Sequence, residues 1–523
     1  MKRTIAACTL LFLGFSLFAQ ADLEADSADI PVSTPVSTPV EAAVETTVVT
    51  DEDADARTEY VKRDKIWPNA KRPQAATQEQ IASSNEKNLE KAGEEYEEET
   101  RDVLSYGLTD EICNLLDELT SAEDYRFKEE AYDLFQETKS PRVREKLLAY
   151  FAKLKDPCLE DFAVGVLNDP FDERTATVNA CFSYVSAVKS SDAIPAVVEL
   201  LEKSDLGYFN AALECMGDIG GAEEAVYLTG YLEEDLTLAQ KQALMRVLGK
   251  LNAVETWEQL SEIAQDKNED MYVRAYAAEA IGAMEVPESK DILIELYEAD
   301  EPKVRESVIR GLSHYSDSAV QEIFRQALKD DNYRVRLEAI NAVETQNITS
   351  ASKDLIYHCK HKEENVVKEK CYKVLAKLNT SDGNEYLVGV IKDKKSGDGA
   401  KAKVAAALLE NGSAGTQEII ELARETLKSD KQKSLRYALG KEFAKYGKPE
   451  FADICLEYIK SKDVATQGTG LDIYAKGRYS SAKQAVEDLA ALAPDEDESD
   501  GKKKRASNVN AVKAKKILKG IGN

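Results

Sequence analysis

The chain has 523 residues, a formal net charge of −28 and 31% charged residues. That is more chain than one hydrophobic core normally serves, and so acidic a surface repels phosphate backbones, which argues against nucleic-acid binding by the bulk of the chain. After the first 21 residues no apolar run approaches the ~20 residues of a membrane-spanning helix.

The N-terminus carries Lys2 and Arg3, an apolar stretch from Ile5 to Phe18, then Ala19-Gln20-Ala21. This order predicts a secretory signal over residues 1–21, a mature start at Asp22 and an exported protein, periplasmic or secreted. Cys8 lies inside the apolar stretch and not at its end, which argues against a lipid-modified cysteine. Residues 22–76 read as a disordered acidic, Pro/Thr-rich linker. No Lys or Arg occurs between Asp22 and Ala56, and the tandem run Pro31 to Pro39 is followed by Asp51-Glu-Asp-Ala-Asp55. Such a segment buries too little apolar surface to offset its ordering entropy. Within it, Lys62 to Pro73 turns basic around Trp67-Pro68; that stretch can dock on the acidic body or simply continue the linker. Thr77 and Gln80 have capping-box spacing, and residues 77–107 predict a polar lead-in helix.

A repeating unit follows over residues 108–493. In its clearest copies Val273, Ala277, Ala280 and Ile281 correspond to Val304, Val308, Gly311 and Leu312, to Val335, Ala339, Ala342 and Val343, and to Val367, Cys371, Val374 and Leu375. The internal spacing of four, three and one residues is one face of an α-helix. Earlier anchors are Val143, Ala176, Phe209 and Gln240; later, more degenerate ones are Lys401, Lys431 and Val464. Asp270, Asp300, Asp331 and Glu364 precede the four clear anchors and can cap their helices. Each anchor helix predicts a turn and a second helix, as in Ile292, Leu293 and Leu296 or Ile323, Phe324 and Leu328. No strand-like alternation competes. The expectation is an all-α solenoid of ten to twelve stacked helix pairs. Residues 494–505 form a charged loop. Residues 506–523 predict a basic capping helix with Val512, Ile517 and Leu518 on its apolar side, and residues 501–523 hold eight bases and no acid, a possible contact for an anionic surface.

Asp270-Met-Tyr-Val273-Arg274-Ala-Tyr-Ala277-Ala-Glu-Ala280-Ile281-Gly282 resembles the HEAT-like repeat, in the variant shared with phycobilin-lyase-type repeats. The resemblance implies a right-handed superhelix of helix pairs that binds proteins along a concave surface. Some relatives of that type assist attachment of bilins to cysteines; the match lies in the structural framework and transfers no catalytic motif. A tetratricopeptide array fits less well, since its period is 34 residues and both tryptophans fall outside the anchor helices.

Candidate chemistry is sparse. His358, Cys359 and His361 place two imidazoles and a thiol together, short of the four ligands that zinc takes. Cys113, Cys158, Cys181, Cys215, Cys371 and Cys455 complete the seven cysteines beyond the signal; their pairing is open, and buried thiols are the default. Arg274, Arg305, Arg336 and Lys368 form a column one residue after the clear anchors, read as a structural ladder pairing with the acids of the next repeat. Tyr227, Tyr231, Tyr297, Tyr357, Tyr386 and Tyr458 lie in second helices, where tyrosine suits either a binding face or a half-buried contact between repeats. Gly217, Gly249, Gly282 and Gly440 read as turn and packing glycines. The expected function is a non-enzymatic exported scaffold, without cofactor or metal, for another protein of the cell envelope. The alternatives are a chromophore-lyase-like helper using the Cys/His group and a structural array in an envelope assembly.

Overall fold

A computed structural model describes residues 60–87, 93–203, 207–412, 414–493 and 509–522, all within one compact unit, residues 54–523. The expected signal at 1–21, the linker up to residue 59 and the charged loop at 494–505 lie outside the described residues. Among the described residues no helix is long and apolar enough to cross a membrane.

Two lead-in helices come first, α1 (Gln78–Lys87) and α2 (Glu94–Tyr106). Twelve pairs follow: α3 and α4 (Thr109–Ala122, Lys128–Glu137), α5 and α6 (Pro141–Leu154, Glu160–Asn168), α7 and α8 (Thr175–Val188, Ile194–Glu202), α9 and α10 (Phe209–Ile219, Ala222–Thr229), α11 and α12 (Leu238–Lys250, Trp257–Gln265), α13 and α14 (Met271–Ala283, Pro287–Leu296). The rest are α15 and α16 (Pro302–Leu312, Ser318–Ala327), α17 and α18 (Tyr333–Thr345, Ser352–Lys360), α19 and α20 (Asn365–Leu378, Ser381–Lys392), α21 and α22 (Asp398–Glu410, Thr416–Leu427), α23 and α24 (Lys433–Tyr446, Ala452–Ile459), α25 and α26 (Val464–Gly477, Ser480–Ala490); α27 (Val509–Gly522) ends the chain. First helices stack on first helices, and most second helices touch the second helices beside them. The expected all-α solenoid is thus the fold. The single polar lead-in helix is corrected to two, with Gly93 at φ 130° ahead of α2, and Ser84 on α1 and Thr100 and Leu104 on α2 are buried. The Thr77–Gln80 capping box forms, with Thr77 N–H donating to Gln80 Oε1 at 2.9 Å.

Helix starts follow local chemistry. Asp270 accepts from the N–H groups of Tyr272 and Val273, satisfying two of the four orphan donors of α13. The other expected caps shift. Glu301 and not Asp300 precedes α15, Asn332 and not Asp331 caps α17, and Glu364 occupies the cap position of α19 without a side-chain bond. The core columns at Ile281, Leu312 and Val343 are fully buried. Three anchors move. On α7 a buried row runs through Thr177, Cys181, Tyr184 and Val185, one residue after Ala176; on α23 Arg436 and Gly440 join the expected Leu435 and Leu439 while Lys431 is exposed; on α25 Thr466, Gly470, Ile473 and Tyr474 join the expected Leu471 while Val464 is exposed. The anchor position holds a polar residue there. Thr177 Oγ1 donates to Glu145, and Thr466 Oγ1 donates to Asp463 at 2.7 Å, so each threonine is buried with its hydroxyl satisfied.

Most first helices end in a left-handed turn. Glu123, Lys155, Lys189, Asn252, Glu285, Asn347, Asn379 and Arg478 all have positive φ there. That corrects the turn role expected of Gly217, Gly249, Gly282 and Gly440, which instead sit where helices approach closely. A non-glycine residue in this conformation costs ~1 kcal/mol or more. Lys155→Gly is therefore expected to raise stability by about 0.5–1 kcal/mol, read as a higher denaturation midpoint in urea at unchanged slope.

At the C-terminal end α27 packs on α25 and α26. Its buried face is Ala511, Ala514 and Ile517, with Val512 and Leu518 half-buried, because the small alanines permit close contact. Lys513 reaches Asp472 at 2.6 Å.

Candidate binding face

Residues 60–73 form an extended basic strap across the second helices of the first four repeats. Arg72 pairs with Asp133 on α4 and lies over the Tyr132 ring. Lys71 reaches Glu160 at the start of α6 at 3.1 Å. Lys65 bridges Glu199 on α8 at 2.8 Å and the carbonyl of Asn168 at 2.6 Å. Asn168 Nδ2 donates to the strap carbonyl of Ile66 at 2.9 Å. Lys62 meets Glu202 at 2.6 Å. Arg63 pairs with Glu223 and Glu224 at the start of α10. Tyr60 donates to Glu224 at 3.0 Å and sets its ring 4.8 Å from that of Tyr227. Burial and the Glu224 carboxylate push the Tyr60 phenol up to about 12. The disordered linker expected for residues 22–76 is thereby corrected over 60–76. An acidic body supplies the counter-charge that the strap's composition by itself lacks, and the strap supplies bases to carboxylates crowded on successive second helices.

The base column is structural in geometry at three of its four positions. Arg274, almost fully buried, reaches Glu301 at 2.9 Å. Arg305 makes a fork to both oxygens of Asp330, and Arg336 a fork to both oxygens of Glu363. Arg305 and Arg336 also donate to the carbonyls just ahead of their own helices, at Asp300 and Asp331. Each therefore staples one repeat to the next. Burial opposes ionisation of Glu363, yet bonds from Arg336, its neighbour's N–H and His358 hold its carboxyl below the usual range. Lys368 is half-buried on α19, and no such fork is formed at its position among the described residues.

The His/Cys group does not converge. His358 is buried and bonds Glu363 through Nδ1 at 2.8 Å. His361 is exposed, stacked on Tyr357 with ring centroids 4.0 Å apart. Cys359 is buried in contact with Cys371, and that hydrogen bond together with burial pushes the Cys371 thiol well up. Among the described residues no group of His, Cys, Asp and Glu is arranged to hold a metal ion. The seven cysteines among the described residues are buried and free, and burial pushes the thiols of Cys158, Cys181, Cys215 and Cys455 up.

The six tyrosines divide. Tyr231, Tyr297 and Tyr458 are buried, which removes them from the expected binding set, whereas Tyr227 is buried beside Tyr60 of the strap. Tyr458 donates inward to the Arg436 carbonyl at 3.0 Å. Tyr357 is exposed. Tyr386 is half-buried under Lys360 in a cleft of about 580 Å³ between α18 and α20 that also contains Asp382, Glu385 and Asp393. Other tyrosines, not singled out by sequence, tie repeats together. The hydroxyls of Tyr150, Tyr184, Tyr315 and Tyr479 donate to the carbonyls of Asp124, Asp156, Val286 and Lys448 in the preceding repeats. Their common trait, a partner 26–31 residues back, reappears only after the repeats are aligned in space.

Among solved structures the chain is similar to Kap121p, with a TM-score of 0.36 and 12% identity over 86% of this chain and 56% of that one. It is similar to importin beta, with a TM-score of 0.36 and 11% identity over 83% and 70%. It is similar to the complex of CpcE and CpcF of phycocyanin lyase from Nostoc sp. PCC7120, with a TM-score of 0.30 and 17% identity over 46% and 94%. The chain thus spans a little over half the length of Kap121p. No curated protein matches it. The family described as spirochaete HEAT repeat protein matches residues 104–517, from the second lead-in helix into α27, and over that stretch of stapled helix pairs this chain belongs to it.

Proposed function

We propose that this protein is a non-enzymatic, exported scaffold that holds another protein of the cell envelope along the second-helix face of its solenoid. Stacked repeats present extended surfaces on which long segments can lie. The observation that carries the reading is the strap: an extended peptide segment already lies across four successive second helices, held by side chains of α4, α6, α8 and α10. The chromophore-lyase-like alternative has less support. His358 bonds Glu363, Cys359 is buried against Cys371, and His361 stacks on Tyr357, so the three side chains face different partners.

The reading is tested with the mature chain immobilised and exposed to the envelope fraction of the cells that make it. One retained protein is expected, eluting as ionic strength rises and lost when Asp133, Glu199 and Glu202 are neutralised together. N-terminal sequencing of the natural product is expected to begin at Asp22. Retention indifferent to those carboxylates would overturn the assigned face, and a product starting at Met1 and recovered from the cytoplasm would overturn export.

A further inference from the structure

We propose that the strap is a resident stand-in: residues 60–73 occupy, within the same chain, a groove that takes an extended basic segment of a partner protein. This rests on the scaffold reading and names the chemistry of what that scaffold holds.

The first support is metric. From Arg63 over α10 to Arg72 over α4 the strap advances nine residue steps, a reach of about 30 Å at ~3.3 Å per step. Three steps between neighbouring helices at roughly 8–10 Å give about the same length. The bases step unevenly along it: Arg63 serves α10, Lys65 α8, Lys71 α6 and Arg72 α4. An extended segment whose bases fall at those intervals meets the same carboxylates.

The second support is the way the groove holds its occupant. The strap carbonyl of Ile66 is bound by the Asn168 side chain, which reads backbone and ignores residue identity. Asn168 is 5% exposed, and its Oδ1 has no hydrogen-bond partner. An amide that already donates to a peptide carbonyl is placed to accept from a peptide N–H as well. The strap leaves that second bond unmade, and an unsatisfied buried acceptor is destabilising. A partner segment whose backbone N–H reaches Asn168 completes what the strap does not.

The third support is the strap's weak hold. The side chains of Lys62, Arg63, Lys71 and Arg72 are 40–68% exposed in their ion pairs. An exposed pair of this kind contributes less than ordering one residue costs. The strap is thus poised to leave. It stays tethered by α1, where Ser84 accepts from the Tyr125 N–H and Asn85 from Arg126. Its departure bares the Glu160 and Glu224 carboxylates and the Tyr132 and Tyr227 rings. Upstream, the chain has no Lys or Arg between Asp22 and Ala56 to take its place. A tethered occupant lowers the apparent affinity for an outside segment in proportion to the time it fills the groove.

The experiment uses the full chain and a labelled synthetic peptide of residues 60–73. Wild type is compared at low salt with a chain carrying Arg63→Gln, Lys65→Gln, Lys71→Gln and Arg72→Gln. The peptide is expected to bind the neutralised chain at least 10-fold more tightly than wild type. Adding Asp133→Asn, Glu199→Gln and Glu202→Gln, all at partly exposed positions, is expected to remove 10-fold or more of that affinity. Adding Asn168→Ala instead tests the backbone bond and is expected to weaken binding without changing its salt dependence. Equal binding to wild type and neutralised chain, still dependent on the carboxylates, would overturn the stand-in and leave the face intact. Binding to neither chain would sink both the stand-in and the face. Binding that ignores the three carboxylates would place the peptide elsewhere and overturn the inference.

Discussion

Leu312→Asp is expected to be the most damaging single change in the solenoid. Leu312 closes α15, has no exposed surface, and sits in the layer where α15 meets α13 and α17. Losing its burial forfeits ~1.5–3 kcal/mol. The carboxylate that replaces it falls in a fully buried layer, so it is either desolvated or protonated, at a further cost of several kcal/mol. The total exceeds about 4 kcal/mol, a large share of what a folded chain normally has in reserve. Repeats are stabilised by their neighbours, so the damage is expected to split the array into two separately melting halves. Thermal unfolding followed by circular dichroism should show an early transition absent from wild type. Leu312→Met, which keeps the volume, should cost less than about 1.5 kcal/mol. A single unchanged transition in the aspartate variant would show that this residue does not carry the layer.

The second large effect needs only one methyl group. At Gly282 an added Cβ would sit 2.3 Å from the Cα of Gly311 and 2.6 Å from its carbonyl carbon and oxygen. Those atoms are backbone, so no rotamer change relieves the clash. Relief requires α13 and α15 to separate, and they are among the most closely joined helices of the array. Gly282→Ala is expected to cost roughly 2–4 kcal/mol, in the range of overpacked cores. The same substitution at Gly389 on α20 meets nothing within 4 Å. There the higher helix propensity of alanine should stabilise by about 0.5–1 kcal/mol. Urea denaturation of the two variants side by side is the check: midpoints should move in opposite directions. If both rise, the close approach of α13 and α15 is not what holds the middle of the array.

The pairing of Gly282 with Gly311 also shows where reading residues in order stops. Gly282 ends a helical pattern and so looks like a turn residue, while the left-handed turns are made by Lys155, Asn379, Arg478 and others that carry no such mark. Threonine misled the spacing at Thr177 and Thr466 for a related reason. A residue counts as polar in a list, yet it can be buried once a carboxylate takes its hydroxyl, on the neighbouring helix for Thr177 and at the cap of its own helix for Thr466. Tyr227 and Tyr458 looked available as binding residues until the strap and the neighbouring helices were found to cover them.

What the sequence by itself determined is everything that depends on separations of a few residues. The four-, three- and one-residue spacing of Val273, Ala277, Ala280 and Ile281 makes a helix with one apolar stripe. Its recurrence every 31 or 32 residues makes a stack. The cap at Asp270 and the capping box at Thr77 are local for the same reason. Only the tertiary structure decided which surfaces meet across a repeat or across a longer stretch of chain. Lys62 finds Glu202 at a separation of 140 residues, and Arg63 finds Glu224 at 161. No periodicity encodes those distances, since a carboxylate on an acidic chain has many equivalent neighbours in sequence and acquires a particular partner only when stacking fixes which second helices lie side by side.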